Sequence, residues 1–472
     1  MHHDHHPTHT PTGQTHGAPG TTFIKHFLRA PPKEFEDFAV WFGKLFPISP
    51  PYCPLGFIHT STVSVAAMLS GLRAQRPCST QVQRRFFSAV LSPAAEKRHG
   101  ADGQLLIEMS GGFRALQLKK VNGAPTLALE SLTEVREHVE WWDENFMVNV
   151  SVLSGDGENF CSGLHLEDLR RGSSSKAYLG ALCRVVTALD SSNTPAVSVL
   201  DGSCIGSGYA LAMGKYKLAT ENSSFYVPEA TLGLGLAGGL SYALPRLLGG
   251  NRPLALCLAL TGMALEGPDL FFTQIATGFM TRRRLDMTME RLAEINQDPK
   301  PFGDKTPDCS EDPTAVQTVL ERSVDLSWNV DGLPDDCLDP PESQIPITAF
   351  VHEILPQVEH VFAVDSVEEA IDNLKGRSEP WTRTALQNIE RSSPLSLKVM
   401  FEQVKRGGET SLQGCLDDEF SVNLHLSGSA DFEMAMDARE AGARPSAWQC
   451  GSLEQISQDQ VTAVFDPVTR RQ

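Results

Sequence analysis

The sequence predicts an α/β fold, and three observations predict it. From about Gln104 onward, short β-branched runs alternate with amphipathic helical stretches, the order expected of sequential parallel strands joined by helices. Two of those runs lead into Gly-containing loops, at 159–166 and 200–208. From residue 348 onward, amphipathic helices recur, which adds a helical C-terminal region to the sheet domain.

Taken in order, the chain opens on a His-, Thr-, Pro- and Gly-rich stretch with no hydrophobic period, so residues 1–67 are expected to be a disordered tail or upstream extension. Its histidines His2, His3, His5 and His6 read as solvated side chains rather than a metal site, and its aromatics (Phe38, Trp41, Phe42, Phe46) as one short amphipathic helix. Residues 68–103 carry Arg73, Arg76, Arg84 and Arg85 and no acidic residue before Glu96, the composition of a mitochondrial transit peptide followed by a linker. Met68 then reads as a true or alternative start, with processing near ArgArgPhePheSer at 84–88.

Ordered structure is expected to begin near Gln104, where LeuLeuIleGluMet, GlyGly and PheArgAlaLeuGlnLeu spell a β-hairpin. Leu129, Leu132, Val135, Val139 and Trp142 then fall on one helical face, and a β-branched run over 147–155 reads as the next strand. After the 159–169 loop comes an amphipathic helix over 177–189. The stretch from Pro195 to Gly250 follows. It begins with a strand (Ala196 to Leu200), turns at Gly202, Gly206, Ser207 and Gly208, and is expected to run into a helix at AlaLeuAlaMet. Residues 252–263 read as a helix stopped by Gly262. The core domain is thus placed at 104–296 and an acidic, Pro-rich insertion or linker at 297–347, around one helix from Ala315 to Leu326. The helical C-terminal region covers 348–472, with helices at 348–361, 367–375, 383–391, 394–405 and 412–426.

Composition bounds the function. A chain of 472 residues, 41% hydrophobic, is long enough for a full core. The formal net charge of -18 argues against a sequence-wide electrostatic grip on nucleic acid. The ten cysteines are scattered without paired Cys/His spacing, so neither a metal site nor a disulfide framework is expected, and a reducing compartment is. No apolar run approaches the roughly 18 residues of a membrane span.

The two Gly-containing loops could each aim one backbone N–H at a single oxygen, and two such donors stabilise a developing thioester oxyanion. ValProGlu in the next apolar run sets Glu229 where an acid or base is wanted. AsnPheCysSerGlyLeuHisLeu (159–166), LeuAspGlySerCysIleGlySerGly (200–208), ValProGlu (227–229) and LeuProArgLeuLeuGly (244–249) together resemble the four characteristic segments of the crotonase, or enoyl-CoA hydratase/isomerase, superfamily. AlaLeuThrGly (259–262), IleAlaThrGlyPhe (275–279), SerProLeuSerLeuLysValMet (393–400), Asp431-Phe432, Arg439, Pro445 and Trp448 follow the order of its 3-hydroxyisobutyryl-CoA hydrolase subfamily. The resemblance spans roughly 104–466.

The resemblance implies a crotonase-type fold of repeated ββα turns. It also implies acyl-CoA thioester hydrolysis in valine breakdown, a mitochondrial matrix location, and coenzyme A as part of the substrate with no covalently bound cofactor. Glu229 matches the acid/base. The amide of Leu164 matches one oxyanion donor and the Gly206-Ser207 turn the other, with Ser207 in place of the family's middle glycine. Phe160, Cys161, Gly163, His165 and Leu166 match the segment along the CoA, and Ala237 stands in the glycine-rich loop of the substrate site. Departures accompany the matches. The subfamily has an aspartate where this chain has Ala237, and true hydratases carry a second glutamate where it has Ala210. His165 replaces an aspartate, and Lys119, Lys120 and Val121 replace an ArgPro-containing stretch that helps hold the nucleotide.

Other readings stand beside these. Glu229 could be a buried carboxylate paired with an arginine, His165 a polar loop residue, and Arg282, Arg283 and Arg284 a solvated face. Ser207 is read as a glycine replacement rather than a nucleophile, since no Ser-His-Asp arrangement can be located. At the level of function, the alternatives to the hydrolase are an enoyl-CoA hydratase/isomerase and a catalytically impaired homologue built into the small subunit of the mitochondrial ribosome. Homo-oligomerisation is left open.

Overall fold

The computed structural model describes residues 96–100, 103–119, 125–145, 147–156, 159–170, 172, 174–295, 314–328 and 350–466. The expectations for 1–67, for the transit peptide up to residue 95, for both flanks of the helix in the 297–347 segment and for Lys120 and Val121 lie outside the described residues.

An antiparallel meander starts the fold: β1 (Glu96–His99), β2 (Leu105–Ser110) and β3 (Phe113–Leu118). The hairpin read from alternation is β2–β3. Order begins earlier than Gln104, because β1 adds a fully exposed charged strand to the outer edge of β2. Such a strand, EKRH, has no apolar face for alternation to reveal.

Helix α1 (Leu129–Asp143) leads into three successive strand pairs, β4 (Val150–Gly155) with β5 (Asn159–Cys161), β6 (Ala196–Val199) with β7 (Ser203–Ile205), and β8 (Tyr216–Ala219) with β9 (Ser224–Tyr226). The first member of each pair joins a seven-stranded sheet of order β1-β2-β3-β4-β6-β8-β11, with β11 at Gly278–Phe279, and the second joins a four-stranded sheet of order β10-β9-β7-β5, with β10 at Leu265–Glu266. The pairings along β3-β4-β6-β8 and along β5-β7-β9 are parallel. Short strands β10 (Leu265–Glu266) and β11 (Gly278–Phe279) close the two sheets. Each repeat therefore spends one strand on each sheet, which is the ββα turn of a crotonase-type fold.

Helices follow the strands. Short α2 (Leu166–Arg170) and long α3 (Ser175–Ser191) come after β5; α4 (Leu240–Ala243) and α5 (Arg252–Thr261) come after β9; α6 (Asp269–Phe272) and α7 (Arg282–Glu294) flank β11. Gly262 ends α5 in the left-handed conformation, as expected. The turn after β7 differs from expectation: 206–212 is a 3-10 helix, not an α-helix.

Side-chain alternation sorts the seven-stranded sheet between two cores. Leu116, Leu118, Leu153 and Ala219 face the main core, whereas Phe113, Ala115, Val150, Val152, Val197, Val199 and Leu218 face a second one. Met280, Leu285, Met289 and Leu292 cover that second face together with Val316 and Leu320 of α8 (Ala315–Trp328). The helix read inside the linker is thus part of the core. Arg282 is not simply solvated either, since its Nε lies 2.9 Å from Asp201 Oδ2 and its N–H donates to Glu221 at 2.8 Å.

The C-terminal region comprises α9 (Phe350–Phe362), α10 (Val367–Lys375), α11 (Pro380–Glu390), α12 (Pro394–Gly407), α13 (Leu412–Leu426), α14 (Ala430–Glu440) and α15 (Gln458–Phe465). Ser side chains cap α10, α12, α13, α14 and α15 by accepting backbone N–H bonds. No helix among the described residues is long and apolar enough to cross a membrane.

Candidate active site

The ends of β5, β7 and β9 bring the predicted residues together. Beyond β5 the chain turns at Gly163, whose φ of 85° favours glycine and whose missing Cβ leaves room for Ile205 O, 2.8 Å from where it would lie. That close approach sets Leu164 beside the Gly206-Ser207 turn. No hydrogen bond engages the Leu164 N–H among the described residues. The backbone of this loop is tied down on either side, by Leu127 N–H to Gly163 O at 3.0 Å and by His165 N–H to the Tyr178 hydroxyl at 2.8 Å.

Glu229 begins the 3-10 helix Glu229–Leu232 just past β9. Its Oε1 accepts the Ser207 N–H at 2.7 Å, so the predicted acid/base residue and the second predicted oxyanion donor are bonded to each other. Gly206 makes this possible, because a Cβ there would overlap the Glu229 carboxyl, and its φ of 47° suits glycine. No arginine pairs with Glu229 among the described residues, and Oε2 has no partner. At 3% exposure the carboxyl is cut off from water, and burial pushes its pKa up to about 7, against the lowering pull of the Ser207 amide. The carboxyl thus has one oxygen bonded to an amide and one, Oε2, buried without a hydrogen-bond partner among the described residues.

Of the other predicted residues, Cys161 abuts the turn after β7: a Cβ on Gly208 would lie 2.8 Å from Cys161 O. Phe160 and Cys161 are fully buried, and burial pushes the Cys161 thiol up to about 12, so it is a neutral wall and not a nucleophile. His165 is part-exposed. Its Nδ1 lies 3.0 Å from Asp168 Oδ2, within ion-pair range but off the line of a hydrogen bond. Asp168 also accepts the first N–H of α1, from Leu129, at 3.0 Å. Leu166 opens α2 and packs against the main core.

Ala237 sits in the glycine-rich loop that connects Glu229 to α4, and it is 1% exposed. The next residue, Gly238, abuts Ser207: a Cβ on it would lie 2.6 Å from Ser207 O. A buried polar clamp that sequence reasoning missed holds this loop. Gln403 of α12 accepts from Leu236 N–H at 2.8 Å and donates to Leu236 O at 3.1 Å. Asn423 of α13 accepts from Gly235 N–H and donates to Leu236 O. Glu419 accepts from Gly239 N–H, Ser241 N–H and the Ser241 hydroxyl, at 2.8, 2.8 and 2.7 Å. The only sequence signal was polar residues recurring on the face of α13 that also carries the buried Leu416, Val422 and Leu426.

Chemically, the centre can offer one free amide, a second amide held by a displaceable carboxyl, and a single acid/base group. Neither of the second carboxylates known from the family is present, since Ala237 and Ala210 are both buried alanines.

Comparison with known proteins supports the family and the fold. The sequence model of the family described as enoyl-CoA hydratase/isomerase matches residues 113–465. The Arabidopsis thaliana small ribosomal subunit protein mS47 is 26% identical over 401 residues, covering 82% of this chain and 90% of that protein. The mitochondrial 3-hydroxyisobutyryl-CoA hydrolase of Xenopus laevis is 26% identical over 381 residues, covering 78% and 90%. Among solved structures, a carnitinyl-CoA dehydratase from Mycobacterium thermoresistibile superposes with a TM-score of 0.64 at 22% identity, over 78% of this chain and 97% of that one, a likeness of fold. With its ββα repeats, its two facing loops and the family match over most of its length, the chain belongs to the enoyl-CoA hydratase/isomerase family.

Proposed function

We propose that the chain is a mitochondrial acyl-CoA thioester hydrolase of the 3-hydroxyisobutyryl-CoA type, with Glu229 as its acid/base. The observation that carries this reading is the buried Glu229 carboxyl, with a pKa of about 7, hydrogen-bonded to the Ser207 amide across from the free Leu164 amide. Substrate binding places the thioester oxygen on the two amides and displaces Glu229 from one of them. The ionised carboxylate then takes a proton from water as the water oxygen attacks the carbonyl carbon, and the amides hold the resulting oxyanion. On collapse the C–S bond breaks and Glu229 returns the proton to the CoA thiolate, leaving acid and free CoA. The backbone from Phe160 to Leu166 runs along the coenzyme A portion. Purified chain incubated with 3-hydroxyisobutyryl-CoA should release CoA; a wild-type rate no higher than that of Glu229→Gln would refute the hydrolase.

A second reading is a structural component of the mitochondrial ribosome's small subunit. The alanines at 237 and 210 and the similarity to a small ribosomal subunit protein favour it. Co-sedimentation with mitochondrial ribosomes, without Glu229-dependent CoA release, is its result. An enoyl-CoA hydratase is less favoured, because Ala210 removes the partner carboxylate of that chemistry.

A further inference from the structure

We infer that the Ser207 hydroxyl is a third hydrogen-bond donor to the thioester oxygen, beside the amides of Leu164 and Ser207; this rests on the acyl-CoA reading above. Ser207 is 1% exposed, and its Oγ has no hydrogen-bond partner among the described residues. A buried hydroxyl left unbonded is unfavourable, and a serine in a helical turn ordinarily relieves it by bonding a carbonyl of the preceding turn. Ser207 stands second in the 3-10 helix, with no helical turn before it to supply such a carbonyl, and its Oγ bonds nothing among the described residues.

Geometry says which way the hydroxyl faces. The Ser207 N–H donates to Glu229 Oε1, while the hydroxyl does not bond that carboxyl. Instead Oγ lies 3.3 Å from where a Cβ on Gly163 would be, next to the peptide that presents the Leu164 N–H. The hydroxyl thus stands beside the Gly163-Leu164 peptide, on the same residue as the second amide. A serine's N–H and O–H are three bonds apart, so a single acceptor can take both. No histidine bonds the hydroxyl, so it acts as a donor and keeps its proton. The residue that replaces the family's middle glycine therefore adds a dipole to a site that lacks its second carboxylate.

The test uses full-length protein and an acyl-CoA labelled with ¹³C at the thioester carbonyl, read by the infrared stretch of the bound C=O. Donors lower that frequency. Ser207→Ala should return part of the lowering and cut kcat by about 10²-fold with KM little changed, as expected for one lost donor. Ser207→Thr, which keeps a hydroxyl, should keep the low stretch; Ser207→Gly should match Ser207→Ala, and guards against a misfolded variant. If Ser207→Ala and Ser207→Gly keep the wild-type stretch and kcat while Glu229→Gln is inactive, the hydroxyl is not a donor and the hydrolase reading stands. If wild-type protein binds no labelled thioester, the acyl-CoA reading fails and takes this proposal with it.

Discussion

Replacing Glu229 by Gln should leave stability nearly unchanged near pH 4.5 and raise it at pH 8, and the size of the difference follows from the burial of one carboxyl. Burial lifts the Glu229 pKa from 4.5 to about 7. Between those values the folded chain holds a proton that the unfolded chain has released. A group raised in this way contributes its full stability below the unfolded value and loses it as pH rises through the folded one. At roughly 1.4 kcal/mol per pH unit, the gap amounts to about 3 kcal/mol. Gln keeps an oxygen for the Ser207 N–H and cannot ionise, so it escapes the loss. Glu221, Asp269, Asp286 and Glu419 also have raised pKa values through burial, so the pH slope of the wild type alone would mix them. The difference between wild type and variant cancels them. Urea unfolding of both proteins across pH 5 to 8 should show the advantage of Glu229→Gln growing with pH by about 3 kcal/mol. A flat difference, or one that grows toward acid, would refute the buried, proton-holding carboxyl.

Three more perturbations follow from the same geometry. Gly206→Ala puts a methyl into the Glu229 carboxyl at a positive φ, and should cost about 2 kcal/mol in unfolding experiments and abolish Glu229-dependent CoA release. Glu419→Leu leaves the Gly239 and Ser241 donors without their acceptor, so a loss of about 3 kcal/mol is expected. It also removes a negative charge that helps raise Glu229, which should move the Glu229 titration to lower pH in the unfolding difference described above. Ala237→Asp restores the carboxylate of the hydrolase subfamily and should speed CoA release by about 10²-fold; an unchanged rate would place residue 237 outside the reacting centre.

The sequence made the fold's elements legible where one face of an element meets the core. Alternation marked the β2–β3 hairpin, and the spacing of Leu132, Val135, Val139 and Trp142 marked α1. It did not say that β4 and β5 go to different sheets, because strand partners are set by long-range packing and Asn159–Cys161, a strand in the structure, reads in the sequence as the start of a loop. Glu229, the Gly163 turn and the Gly206-Ser207 turn stood out as residues, yet the bond between Glu229 and Ser207 depends on how close two loops come, which depends on a glycine. His165 and Asp168 are three apart at the start of a short helix, a spacing that could have suggested their pairing. Gln403, Glu419 and Asn423 escaped notice because polar residues on a helix read as solvent-facing until a neighbouring loop with unpaired amides is known.

The central claim is that one buried glutamate at the meeting of two amide-presenting loops turns over a CoA thioester. Single-turnover release of CoA from 3-hydroxyisobutyryl-CoA, compared between wild type and Glu229→Gln at pH 8, tests it most directly. The account predicts release by the wild type and a loss of at least about 10²-fold in the variant. Equal rates in the two proteins would contradict it.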